Sequence, residues 1–303
     1  MLLNAKPIRL LLRSPKLLAS MICLGLFMLI YIWHSFYSEV QREHAAATEQ
    51  AYQKTANLAG IFKEHAERSL EHADFVTGFW QKACQEQGRD AIRFYKLMPE
   101  NFFYQIYIFD ENENSFTGED TLSEEFKHNA LANYASIYRI MPSETMILGQ
   151  DFWDEQHKCW MFPLMRRLTK PDGNYGGLVV MMTSSYYFSD LYNQLDIDPK
   201  SAIFLFGRDH YVRAAKNNAL IRPGDQLSKD SIFVQNMQQS ENQTAATSTD
   251  IEGGQEYIYS YRSLTRYPLA IAVGIPADSV AAEVAPKIRQ ALLVASGLTI
   301  GVL

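Results

Sequence analysis

The first 38 residues contain no aspartate or glutamate, and the last stretch, "ALLVASGLTIGVL" (Ala291 to Leu303), carries no charge of either sign. From Ser38 to about Gly88 there is no proline and little glycine, so nothing in that segment forces a turn. Cysteine is scarce: Cys23, Cys84 and Cys159 are the only three. A disulfide is therefore optional, and a Cys84–Cys159 bridge stays open, because spacing along a chain does not give the Cα separation that a bridge needs. Catalytic signatures are missing too. The chain has no Gly-x-Ser-x-Gly turn, no His-Glu-x-x-His pair and no phosphate-cradling loop. Nothing converges on a nucleophile and its base, so no catalytic residue is assigned.

The chain does carry a strong apolar signal at Leu17 to Trp33, "LLASMICLGLFMLIYIW", an uncharged run followed by His34, Phe36 and Tyr37. About 20 such residues suffice for a helix to cross a ~30 Å hydrocarbon core. Lys6, Arg9, Arg13 and Lys16 precede it, which places the N-terminus in the cytoplasm and exports the region after the run. A cleaved signal peptide is the alternative; the run is long and no small-x-small site comes after it, so it reads as an anchor. All 34 acidic residues fall after residue 37, together with 24 of the 28 basic ones. An acidic exported region of that size argues against nucleic acid as a partner, which needs a basic footprint. It also exceeds one usual core, so two modules or one elongated domain are expected. The apolar end is expected to be the first half of a second membrane helix, although Lys287 and Arg289 flank it on the outer side.

Between these ends the hydrophobic period changes. Leu58, Ile61, Phe62, Ala66, Leu70, Ala73, Val76, Phe79 and Trp80 recur at helical spacing, predicting one long helix, with Gly60 and Gly78 as the places where it could break. "FFYQIYIFD" (Phe102 to Asp110) is aromatic and β-branched and predicts a strand. A helix is expected around Leu122 to Tyr138, then strands at "TMILG", "KCWMFPLMRRL" and "GLVVMM", the last two joined by a hairpin at Asp172-Gly173. Pro163 inside the second of these strands predicts an edge or a bulge. The helix "SSYYFSDLYNQL" closes this part. A second set comes next: "AIFLFG", "YVRAA", a helix over about Lys229 to Ser240, "TAATSTDI", "EYIYSYRSL" and "PLAIAVGI". Runs of strands interrupted by single helices read as α+β with antiparallel sheets.

Several polar groups invite a chemical reading. His44, His65 and His72 with Glu64, Glu67 and Glu71 match no ligand spacing and read as a solvated helix face. His157 beside Cys159, and the cluster Asp151, Asp154 and Glu155, likewise read as structural or solvated, so no metal or cofactor is assigned. Trp160 and Arg166 are a more informative pair. With period two they share one face of a strand, with Phe162 and Leu164 between them. Arg166 is a permanently charged fork suited to a carboxylate and Trp160 a flat wall, although a core Trp and a solvated Arg fit equally well. Arg167 points to the opposite face and is left out of the candidate set.

The stretch "CWMFPLMRRLTKPDGNYGGLVVMMTSSYYFSDLY" resembles the double Cache family, the PAS-like extracytoplasmic sensors of bacterial receptors. A Trp-bearing strand ending in Arg-Arg-Leu, an Asp-Gly hairpin and a Tyr-Phe helix carry the likeness. "NYASIYRIMPSETMILGQ" upstream and "YSYRSLTRYPLAIAVGI" downstream are similar to family segments in the same order. The resemblance implies a long N-terminal helix flanking two tandem PAS-like antiparallel-sheet modules, bracketed by transmembrane helices. In that scheme 1–16 is cytoplasmic, 17–37 spans the membrane and 38–88 is the long periplasmic helix. Residues 89–197 form the membrane-distal module, 198–276 the proximal one, and 277–303 a connecting helix and the start of a second span. It further implies a small-molecule ligand held in the distal module, a homodimer paired through the N-terminal helix, and a cytoplasmic output, a diguanylate cyclase or a histidine kinase. Tyr138, Arg139 and Tyr187 join Trp160 and Arg166 as ligand-binding candidates through the resemblance alone. Where the amino-acid-binding branch has an Asp after the hairpin strand, "MMTSS" offers Thr183, Ser184 and Ser185, so an amino-acid ligand does not carry over. A membrane-tethered scaffold or assembly protein shares the anchor and the acidic domain but needs no second crossing. A tethered hydrolase needs a nucleophile and base that the chain does not assemble.

Overall fold

The computed structural model describes residues 15–91, 104–115, 131–140, 145–155, 157–194, 197–216, 221–229, 233–235, 246–249 and 256–303. Helix α1 (Pro15–Gln87) is the one long helix predicted and runs for 73 residues, unbroken at Gly60 and Gly78. Glycine alone costs a helix only about 1 kcal/mol against alanine, and here both glycines lie inside a helix that is packed or amphipathic throughout. The chain forms two compact units, residues 1–53 with 277–303, and residues 54–276.

The first unit contains the apolar part of α1 and the C-terminal helix α4 (Ala277–Val302). Among the described residues α1 is the one helix long and apolar enough to cross a membrane. Its Leu24, Phe27, Ile30 and Tyr31 are exposed, as the lipid-facing residues of a span are. Within this unit Lys287 Nζ reaches Glu43 Oε2 at 2.8 Å.

Among the described residues the second unit holds two five-stranded antiparallel sheets. Strands β1 (Tyr104–Asp110), β2 (Ile147–Leu148), β3 (Phe152–Asp154), β4 (Cys159–Thr169) and β5 (Tyr175–Ser184) make the first, in the order β1-β5-β4-β2 with β3 also on β4. Helix α2 (Ala132–Ile140) precedes β2, and α3 (Tyr186–Gln194) follows β5. The second sheet is β6 (Ala202–Gly207), β7 (Val212–Ala215), β8 (Ala246–Thr249), β9 (Glu256–Ser263) and β10 (Leu269–Pro276), ordered β7-β6-β10-β9-β8. The Asp172-Gly173 hairpin forms as predicted, with Gly173 at φ +83° and the Lys170 N–H donating to the Asn174 carbonyl at 2.9 Å. The predicted Leu122–Tyr138 helix is described only from Leu131 onward, the predicted Lys229–Ser240 helix only at 229 and 233–235, and Phe102 lies outside the described residues.

Pro163 sits in an inner strand but at a local edge. It is not at a bulge, since it pairs in register with Met182 on β5 and the bulge of this hairpin is at Leu168/Thr169. On its other side the neighbouring strand is interrupted. β2 pairs with Met165 and Leu164, β3 with Met161 to Cys159, and Pro163 faces the gap between them. There its carbonyl accepts the Gly149 N–H at 2.8 Å, and the N–H that proline lacks has no strand to serve.

One apolar core runs along α1 beneath both sheets. Ala59, Phe62, Ala66, Leu70, Ala73, Val76 and Trp80 recur every three or four residues, as a helix stripe must, and meet Phe162, Leu164, Val179 and Met181 of the first sheet. The same core takes Ile203, Leu205, Ile271 and Val273 of the second. Polar contacts fix the helix to that sheet: Thr55 and Ser260 share a buried hydroxyl bond of 2.8 Å, and Glu67 accepts the Thr265 N–H at 2.6 Å. Each sheet buries its other face separately, the first under α2 and the second around Phe204, Phe206, Phe233 and Tyr259. Ile61, Phe75 and Phe79 are exposed on α1, on the side away from this core.

Candidate functional site

Side-chain parity along β4 sorts the candidate residues. Phe162, Leu164 and Leu168 enter the core against α1, whereas Cys159, Met161 and Met165 face α2 together with Tyr107, Leu178, Val180 and Met182. Trp160 and Arg166 do share one face, and it is the α1 face. Arg166, 15% exposed, donates from Nη2 to Asp74 Oδ1 at 2.5 Å and from Nη1 to Gln81 Oε1 at 3.4 Å, so its fork is held by α1. Trp160 meets Trp153 edge to face at 5.9 Å. Its ring lies where a Cβ on Gly224 would be, 2.3 Å from its nearest atom, and Gly224 has φ +86°. Tyr187 packs against the same α1-side core, edge-on to Phe188 at 5.4 Å.

The remaining two candidates lie on α2. Tyr138 is fully buried and donates its hydroxyl to the Met165 carbonyl at 2.6 Å, and burial pushes its phenol pKa far up. Arg139 is exposed at the end of the helix. It donates to the Glu111 carbonyl at 3.0 Å and to Glu113 Oε1 at 3.1 Å, with its guanidinium 5.3 Å from the centre of the Tyr175 ring. The five candidates are thus divided between two faces of one sheet and line no common surface.

The face beneath α2 holds a cation outside that set. Arg167 is only 5% exposed; Nη2 donates to the Gly173 carbonyl at 3.0 Å, and Nε has no partner among the described residues. Its own carbonyl is clamped by Gln81 Nε2 at 2.7 Å, which fixes the backbone and so the side-chain direction. Nearby, the Tyr175 hydroxyl is buried and also without a partner among the described residues. Burial pushes that phenol up to about 12, against the lowering effect of Arg139. A buried guanidinium with no carboxylate partner is costly unless an anion completes it. Sequence reasoning finds the Arg-Arg pair and its parity; which of the two faces meets α1 is not written in β4 itself.

The opposite end of the same face is polar in a different way. Tyr107 donates its hydroxyl to Gln105 Oε1 at 2.6 Å, Gln105 Nε2 lies 3.1 Å from His157 Nε2, and His157 Nδ1 lies 2.5 Å from Asp154 Oδ2. With the amide nitrogen turned toward the ring, Nε2 accepts and Nδ1–H donates to the carboxylate. Eight residues of β4 separate this end from Arg167, about 26 Å of strand, so a small molecule touches one end only. The acidic trio is dispersed: Asp151 meets Arg213, Asp154 meets His157, and Glu155 meets Lys158. No group of three His, Cys, Asp or Glu among the described residues can hold a metal. Cys84 packs against the α1-side core and Cys159 lies on the α2 side, and both are free thiols. Burial pushes Cys84 up to about 11, which makes it unreactive.

No family model matches the chain, and no curated protein matches it. Solved structures do. The extracellular domain of rpHK1S-Z16, described as a histidine kinase, superposes with a TM-score of 0.65 at 20% identity, over 77% of this chain and 97% of that one. The ligand-binding domain of the Pseudomonas fluorescens chemoreceptor CtaA, solved with L-isoleucine, gives 0.54 at 13% identity, over 79% and 98%. The sensory domain of the Campylobacter jejuni chemoreceptor Tlp3, solved with isoleucine, gives 0.51 at 13% identity, over 78% and 97%. The chain shares the fold of these domains: α+β, a long N-terminal helix followed by antiparallel sheets.

Proposed function

We propose that this chain is the extracytoplasmic sensing region of a membrane receptor, and that it binds a small carboxylate-bearing molecule on the α2 face of the first sheet. The observation that carries the site is Arg167, a buried guanidinium with no carboxylate partner, beside the Tyr175 hydroxyl, which has no hydrogen-bond partner either, both among the described residues. The likeness to sensory domains of histidine kinases and chemoreceptors supports the sensing role. In this reading Arg167 takes the ligand carboxylate, Tyr175 and Arg139 border it, and Tyr138 holds α2 over the sheet. Trp160, Arg166 and Tyr187 act as supports on the other face. The N-terminus lies in the cytoplasm, residues 38–286 lie outside, and the signal passes to a cytoplasmic output, a diguanylate cyclase first or a histidine kinase second. Two copies pair through α1, whose exposed Ile61, Phe75 and Phe79 favour a neighbour there.

The test is a thermal-shift screen of the full chain in lipid nanodiscs with acetate, lactate, succinate, citrate and L-isoleucine. An acid present at a hundred times its dissociation constant stabilises by about 2.7 kcal/mol, a readily measured shift. Arg167→Gln should lose that shift, whereas Arg166→Gln should keep it from a lower starting melting temperature. A wild-type response in Arg167→Gln would overturn the assignment.

A further inference from the structure

Outside the α2 face, the most unusual group among the described residues is a carboxylate buried where the two sheets meet. Asp151 lies between β2 and β3 of the first sheet, and its side chain is 1% exposed. Its nearest charge is Arg213 on β7 of the second sheet, itself 2% exposed, with Nε at 3.3 Å from Asp151 Oδ1. That approach is not a well-formed hydrogen bond, and both Asp151 oxygens and the Arg213 Nε and Nη1 make no hydrogen bond of good geometry among the described residues. Arg213 is already engaged: Nη2 donates to Asp209 Oδ2 at 2.5 Å. Two carboxylates therefore share one guanidinium, and the better-placed, partly exposed one has the stronger bond.

The surroundings make this a seam between modules. On the first-sheet side the chain is held tightly. The Gly149 N–H donates to the Pro163 carbonyl at 2.8 Å, and the Gln150 N–H donates to the Tyr134 hydroxyl of α2 at 2.7 Å. A Cβ on Gly149 would lie 2.4 Å from the Pro163 ring and 2.7 Å from that hydroxyl, so the segment has no room to shift alone. On the second-sheet side, the Gly224 loop presses on Trp160, and its N–H is committed to the Val212 carbonyl at 2.8 Å. Asp151 is thus one residue from an anchor on α2 and in contact with the sheet beyond. The charged and titratable groups facing it are Arg213, Asp209 and Tyr134, with the Gly224 amide as a weak donor.

We propose that Asp151 is a proton-controlled latch between the two sheets. Neutral, it stays buried against Arg213 and holds residues 149–151, and through them α2, on the second sheet. Ionised, it draws water into the seam and lets α2 and β3 move relative to β7. The inference goes beyond the sensing reading and does not depend on it, because it requires no ligand.

The electrostatics agree with that direction. Burial, with Asp209 adding to it, pushes the Asp151 carboxyl up to about 7, and Arg213 offsets only part of the cost. A folded-state pKa above the unfolded one means that the stabilisation is complete below about pH 4, and is lost as pH rises through about 7.

Hydrogen–deuterium exchange on the full chain in nanodiscs tests this, corrected for the intrinsic pH dependence of exchange and read at pH 5.5, 7 and 8.5. In the wild type, peptides covering 145–155 and 221–227 should exchange about tenfold faster at the highest pH than at the lowest, while β5 does not change. Asp151→Asn, neutral at every pH, should remain protected throughout. Asp209→Asn removes a neighbouring negative charge and should move the wild-type transition to lower pH. A pH-independent wild type, or an Asp151→Asn variant that responds as the wild type does, overturns the latch. If Asp151→Asn does not fold, an unmoved transition in Asp209→Asn overturns it instead.

Discussion

Arg166 and Arg167 are chemically identical neighbours with opposite circumstances. The strand period sends one toward α1, where Asp74 and Gln81 hold its fork, and the other beneath α2, where Nε has no partner among the described residues. The expected consequence is a difference in kind. Arg166→Ala should lower the stability of the unliganded chain, and a double-mutant cycle with Asp74→Ala should give a coupling of about 1 kcal/mol, because Asp74 is 38% exposed and partly screened. Additive losses in that cycle would show that the ion pair contributes nothing. Sequence alone names both arginines and their parity. It does not tell which face is which, because that depends on a helix 85 or more residues away. Tyr138 enters through a resemblance, and its hydroxyl serves the Met165 carbonyl, a contact that no local pattern announces.

At the level of elements, legibility tracks the strength of the local signal. The Asp172-Gly173 hairpin and the strands flanking it are readable from turn chemistry and alternation. The two-residue β2 and the gap before β3 are not, because their pairing is set by where β4 has no N–H to offer. Glycines show the same contrast. Gly60 and Gly78 offer places for a break that the packed helix does not use, whereas Gly224, marked as a turn by Pro223-Gly224, gives no local sign of its contact with Trp160. Its φ of +86° and its contact with Trp160 predict that Gly224→Ala costs at least about 2 kcal/mol. The measurement is chemical denaturation monitored by tryptophan fluorescence, with a shifted native emission as Trp160 is displaced. A variant with native stability and native emission would contradict that contact. The pairing proposed for α1 also belongs at this scale. Single cysteines placed along residues 40–56 should crosslink between chains with helical period, and a flat pattern would remove the helix-paired dimer.

For the whole molecule, the charge asymmetry of the chain predicts a topology that can be checked without any ligand. Four basic residues and no acidic one precede the apolar run, and all 34 acidic residues come after it. An alkaline phosphatase joined after residue 276 should be active in intact cells; activity confined to a cytoplasmic reporter at the same position would reverse the orientation. The central claim, however, is that the α2 face of the first sheet receives the ligand. Hydrogen–deuterium exchange of the full chain in nanodiscs, with and without an acid that raises its melting temperature, addresses that face directly. The account predicts new protection in α2 (Ala132–Ile140) and in the Arg167 end of β4, and no new protection at the Trp160 and Gly224 contact. Protection confined to the second sheet, or to the α1 face around Arg166 and Asp74, would contradict it.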